Sequence, residues 1–224
     1  MPLTISFLGI SLFYWFLLAG LILPKIPVVG KFFNIINTAI HEFGHALVAL
    51  LLHGQVNRIE LFKDTSGTTT TKTNRVGAFF VALAGYPFAV SVAWLSFYLI
   101  QNGAAKGLLL GLSLLFLIML LFWIRNGYGV LWTILFCALN GYLFYLNNET
   151  YIAYAALFYA TMLLAESVSS VLVLIWLSFK NPSSAGDATN LQKLTHVPAA
   201  VWSLLFAAYT GFVAYKVFIT FITP

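Results

Sequence analysis

Seven apolar runs, each long enough to cross a bilayer, constrain this chain more than anything else in it. A helix needs about 20 predominantly apolar residues to span the hydrocarbon core. Such runs fall at 3–23, 33–53, 77–100, 107–124, 128–146, 151–178 and 197–221. Backbone polar groups in lipid have to be satisfied within their own segment, so runs of this kind fold as helices. Charged residues make up 8% of the 224 residues, against about 25% in soluble domains, and the mean hydropathy is +0.94. The expected fold class is therefore all-α: a polytopic transmembrane helical bundle of six to seven spans, forming a single integral-membrane domain over 1–224. The runs 107–124 and 128–146 are separated only by Arg125-Asn126-Gly127, which reads as a tight turn or as a break in a bent pair.

The remaining composition sets topology and excludes some partners. The net charge is +5, but the 11 Lys and Arg are scattered between apolar runs and form no nucleic-acid patch. The single Cys137 lies inside an apolar run, so no intramolecular disulfide can form. The first run lacks a charged leader and a small-residue cleavage site, which reads as an uncleaved span ended by Pro24 and Pro27. With alternating spans, Arg58, Lys63, Lys72, Arg75, Arg125, Lys180 and Lys193 fall on one side. Lys25, Lys31, Lys106 and Lys216 fall on the other. That asymmetry places segments 54–76 and 180–196 in the cytoplasm of a multi-pass protein of the cell membrane.

Both of those segments are polar. In 54–76, Val56-Asn57-Arg58-Ile59-Glu60-Leu61-Phe62 alternates in part, Ser66-Gly67 offers a turn, and Thr68 to Thr71 is a β-branched run. This reads as a short hairpin after the second span. The segment from Lys180 to His196 is rich in turn and capping residues.

The second run contains the chemistry: His41-Glu42-Phe43-Gly44-His45. Residues i and i+4 of a helix lie one turn apart on one face, so both imidazoles can bind a single metal. Glu42 sits about 100° round the helix, beside the metal, where a carboxylate can take a proton from a metal-bound water. With only four His and four Glu in the chain, chance is a poor source of the pattern. Three such side chains within five intramembrane positions are costly to keep for mere hydrogen bonding.

A hydrolytic zinc ion usually has three protein ligands and a water. The HExxHxxGxxH extension is absent, because position 48 is Val and position 51 is Leu. The remaining candidates are His53, Glu60, Asp64, Glu166, Asp187 and His196. His53 lies roughly 12 Å along the helix from His45, too far to share an ion. Glu60 and Asp64 sit in the polar hairpin, where carboxylates are usually solvated. Glu166, in the sixth run, is a functional suspect or the partner of a serine such as Ser169 or Ser170.

With that motif in an early span and Gly186-Asp187-Ala188-Thr189-Asn190-Leu191 before a late one, the chain resembles the site-2 protease class of intramembrane zinc metalloproteases. It is most similar to the M50B-like branch of peptidase family M50. Ser66-Gly67, Asn74-Arg75, Gly85-Tyr86-Pro87 and the Asp-containing segment before Val197-Pro198 support the resemblance. The third zinc ligand of that family is an aspartate near a late span, and the matching position is Asp187. In the better-known pattern the aspartate stands in Asn-Pro-Asp-Gly or Leu-Asp-Gly. Here Asn181-Pro182 lies several residues upstream and Ala188 follows. Read without the family, Asp187 caps a short helix through Leu194.

The resemblance implies a zinc (Zn2+) metallopeptidase, with His41, His45 and Asp187 as metal ligands and Glu42 as catalytic base. It would cut a peptide bond within or beside a spanning segment of a membrane protein substrate in the lipid bilayer. Asn190 or Asn181 is a candidate donor to the oxyanion. The alternative is a non-proteolytic zinc-binding membrane scaffold or chaperone, distinguished by absence of turnover with zinc bound. Four histidines are too few for a multi-histidine di-iron oxygenase, and a transporter has no use for a general base beside two ligands. One difficulty is left for the fold to resolve: Asp187 sits in a polar segment, while His41 and His45 lie several residues inside a span.

Overall fold

The structure, a computed structural model, describes residues 6–7, 10–23, 26 and 29–222. Pro24, Pro27 and the first five residues, on which part of the expected first span rests, lie outside the described residues. Two-residue strands β1 (Ser6–Phe7) and β2 (Ile10–Ser11) pair antiparallel before helix α1 (Leu12–Ile22). Helix α2 (Val29–Leu51) leads into the hairpin of β3 (Gln55–Leu61) and β4 (Gly67–Lys72). There follow α3 (Arg75–Gln101), α4 (Ala105–Phe122), α5 (Gly127–Leu146) and α6 (Glu149–Lys180). A short α7 (Gly186–Thr195) and then α8 (Ala199–Val217) complete the bundle.

Five of these helices, α3, α4, α5, α6 and α8, are long and apolar enough to cross a membrane. α1 and α2 occupy the positions of the first two apolar runs, so the expected six to seven spans and the hairpin find counterparts. α2 differs in kind from the five. Its Ile35, Ile36, Ala39 and Ile40 are fully buried, but so are Asn34, Asn37, Glu42 and His45 nearly so. A helix buried on its polar as well as its apolar side belongs inside a bundle, and α2 packs between α3 and α6. Gly44 makes this possible against α3, because a Cβ there would lie 2.8 Å from the Phe88 Cβ.

Polar side chains fasten the other helices. Asn140 of α5 donates to the Ser113 hydroxyl of α4 (3.0 Å) and accepts from the Tyr159 hydroxyl of α6 (3.1 Å), all buried. The Trp132 indole donates to the Phe32 carbonyl at 2.8 Å. In lipid, interhelical hydrogen bonds of this kind replace the hydrophobic drive that water would supply. Side-chain caps set two helix starts: Asn74 accepts from the Gly77 amide, and Asn148 from Thr150 and Tyr151. Outward-facing Leu121, Phe122, Leu131, Phe179 and Tyr215 are exposed, as a lipid-facing surface requires.

The hairpin and the segment after α6 are on the same side of the bundle, since Thr69, Thr71, Asp187 and Asn190 line one cavity. After Cys137→Ser, single cysteines at the exposed positions Thr70 and Ser184 are therefore expected to react with an impermeant maleimide from the cytoplasmic side only. Labelling from opposite faces would break the alternation of spans, and labelling of both from outside would invert the orientation.

Candidate metal centre

Regular helical geometry in α2 puts His41 and His45 one turn apart, with rings edge to face at 4.7 Å and 84°. Their Nε2 atoms are 3.0 Å apart. The Nδ1 of His45 lies 2.6 Å from the Val81 carbonyl, an acceptor, so Nδ1 carries the hydrogen and Nε2 presents its lone pair.

Asp187 reaches this pair because α7 folds back onto the bundle. The segment is a helix where turn-rich composition suggests a loop, and Ala185, Ala188 and Leu191 are its fully buried side. It packs on α3 and α8, the Arg75 guanidinium holds its Leu194 carbonyl at 2.9 Å, and His196 ends it in the left-handed region (φ 62°). Asp187 stands in the first turn, and its carboxylate caps nothing, the cap position being Ala185. Its Oδ2 lies 3.2 Å from each histidine Nε2. Descent of this segment into the bundle thus resolves the difficulty of depth.

Three electron-pair donors converge here. Asp187 Oδ2 is buried without a hydrogen-bond partner. Such an arrangement is costly by itself and favourable round a cation. Ligands of a tetrahedral zinc with bonds of 2.0–2.1 Å stand roughly 3.3 Å apart, close to the 3.0 and 3.2 Å separations found. Among the described residues this is the group of three side chains able to hold a metal.

Gly85 of α3 faces the same point. A Cβ built on it would overlap the His41 ring and stand 2.7 Å from His45 Nε2. Next to it, Tyr86 meets the His41 ring edge to face at 4.6 Å. The sequence contained Gly85-Tyr86-Pro87 without saying that the glycine clears the space in front of the histidines. Val81 gave no signal, since its backbone carbonyl acts.

Glu42 is buried and stands outside the group of three donors. Its Oε2 accepts from the Thr69 hydroxyl of β4 at 2.6 Å. Gly67 permits this approach, because a Cβ there would lie 2.8 Å from Glu42 Cγ. The other candidates are elsewhere. Glu60 pairs with Arg58 at 3.1 Å, Asp64 accepts from Ser66, and His53 and His196 are left-handed residues beyond the ends of α2 and α7. Glu166 is outside the group, and Ser170 donates to the Ser167 carbonyl. Asn181 is engaged with Ser183 and Ser184, whereas Asn190 lines the cavity.

That cavity, of about 690 Å³, runs between β4 and α7. The outer edge of β3 is closed. Ile59 donates to the Trp123 carbonyl (2.8 Å) and accepts from the Arg125 amide (3.2 Å), and the Asn126 amide brackets Leu61 at 3.1 and 2.5 Å. Ile59 and Leu61 lie opposite Thr69 and Gly67. Since the backbone groups of the first pair point away from β4, those of Thr69 and Gly67 point away from β3. The edge that remains open therefore belongs to β4, whose Gly67, Thr69 and Thr71 line the cavity.

The sequence profile of the family described as Peptidase M50B-like matches residues 12–217. No curated protein and no solved structure shows significant similarity to the chain. A match over nearly the whole length includes α2, α3 and α7, the helices that build the centre, and the chain belongs to the Peptidase M50B-like family.

Proposed function

We propose that the chain, acting as one domain, is an intramembrane zinc metalloprotease that cuts a membrane protein within or next to a spanning segment. His41, His45 and Asp187 hold the zinc, which when bound polarises the scissile carbonyl and brings the pKa of its water towards about 7. Glu42 is the general base. With Oε2 held by Thr69, Oε1 accepts a proton from the attacking water, whose oxygen adds to the carbonyl carbon. Glu42 then returns the proton to the departing nitrogen as the C–N bond breaks. Asn190 donates to the developing oxyanion from the cavity wall. The open edge of β4 holds the substrate as an added strand, which keeps its peptide bonds out of helical hydrogen bonds.

One observation carries this reading: a buried carboxylate, held by a hydroxyl and bonded to none of the ligand atoms, beside a His-His-Asp cluster in an open cavity. A scaffold that only binds metal has no use for Glu42. The test is cleavage of a single-span substrate by zinc-loaded protein in lipid vesicles. Because the substrate helix must unwind, replacing Leu-Leu at the cut by Gly-Gly should speed cleavage about thirtyfold, given helix penalties near 1 kcal/mol for each of the two glycines. Equal rates would remove the unwinding step. No cleavage with stoichiometric zinc would leave the scaffold.

A further inference from the structure

The wall of the cavity facing β4 is α7, and it carries a cation. Asp187, Asn190, Lys193 and Leu194 all line the cavity; Asp187, Asn190 and Leu194 share one helix face at spacings of three and seven residues, and Lys193 stands at its border. Lys193 is the lysine or arginine among the lining residues. Among the described residues no carboxylate lies within ion-pair distance of it. Glu60 is with Arg58 and Glu149 with Lys106. Asp64 is in the hairpin, Glu166 is in α6, and Glu42 and Asp187 belong to the centre. Arg75 on the Leu194 carbonyl fixes the turn of α7 from which Lys193 projects.

We infer that Lys193 is a specificity residue that reads an acidic side chain of the substrate about three residues from the scissile bond. This rests on the proteolytic reading above and names the substrate class for it. The distance follows from two rises. Six helical residues from Asp187 to Lys193 cover about 9 Å along α7, and a strand added to β4 covers about 3.3 Å per residue. Glu42 supplies the contrast. An acid at the cut faces its carboxylate, whereas an acid three residues away is roughly one Debye length from it and beside the ammonium. Zinc, Asp187 and Glu42 together carry no net charge, so the uncompensated charge of the cavity wall is the Lys193 ammonium, and we place the substrate strand along α7 towards it.

The experiment walks a single Glu through the four positions on each side of the cut in a cleavable single-span substrate. Binding of the fluorescently labelled series to zinc-loaded Glu42→Gln protein in nanodiscs, and kcat/KM of the unaltered protein, are both measured. Both should peak when Glu is about three residues from the bond, by about fivefold, as expected for one solvated ion pair. Lys193→Gln should flatten the peak, and Lys193→Glu should transfer the preference to Lys at the same position. A flat series with the unaltered lysine overturns the inference, as does a peak that survives Lys193→Gln. With the measurements made in both neutral and anionic nanodiscs, dependence on Lys193 that is equal for every substrate and confined to the anionic ones also overturns it, assigning the ammonium to lipid headgroups. If the series binds with the peak but nothing is cleaved, proteolysis fails and the recognition stands.

Discussion

Gly85→Ala is expected to lower zinc affinity by about a hundredfold while leaving the bundle assembled. The new methyl group would overlap the His41 ring and press on His45 Nε2, so the rings can relax only by turning their lone pairs away from Asp187. Loss of groups that merely orient metal ligands costs 10–100-fold in affinity, and here both ligands are displaced together. Overpacking alone costs about 1–3 kcal/mol, so a modest fall in melting temperature should accompany the loss. Gly44→Ala is the control, since its methyl group meets Phe88 in the same α2–α3 interface without touching the ligands. Competition with a chelating dye and thermal melting should separate the two. Gly44→Ala should melt lower with zinc affinity intact, and Gly85→Ala should lose both. Equal zinc affinity in the two variants would mean that Gly85 serves packing only.

This contrast also marks what the sequence can reveal. The seven apolar runs, the hairpin and the two histidines with Glu42 were legible, because each is a local pattern with its own period or spacing. Segment 180–196 was harder. Its Asn, Pro, Ser and Gly suggest a loop, yet Ala185, Ala188 and Leu191 bury one side against α3 and α8 and make a helix of it. Tertiary burial overrode local propensity. The meeting of Asp187 with His41 and His45 depends on that docking, so the family resemblance supplied it and spacing did not. The role of Asn126 was hidden for the same reason. Arg125-Asn126-Gly127 reads as a break between helices, and only the fold brings the amide against Leu61 to close the edge of β3. Closing that edge leaves β4 as the strand open to the cavity.

Three acid-to-amide variants should separate the roles assigned to the centre, and the largest loss of activity is expected from Glu42→Gln. This change keeps the size of the side chain and the hydrogen bond from Thr69, since an amide oxygen can accept it. It leaves His41, His45 and Asp187 untouched. Zinc should therefore stay near one per chain, with the melting temperature little changed. The amide cannot take the proton of the attacking water, so kcat should fall by roughly 10²–10⁴. Asp187→Asn should do the reverse in order of cause. A neutral amide replaces the charged ligand between two imidazoles 3.2 Å away, so zinc affinity falls by at least about a hundredfold and cleavage falls with it. Excess zinc should restore part of the activity of Asp187→Asn and none of that of Glu42→Gln. Glu166→Gln should retain both zinc and cleavage, because that acid stands outside the ligand cluster. Cleavage by Glu42→Gln at the normal rate would remove the general base from the mechanism. Normal zinc binding by Asp187→Asn, with loss in Glu166→Gln, would move the third ligand into α6. The rescue is the sharper measurement, because it distinguishes a missing ligand from a missing base in proteins that are equally silent without added metal.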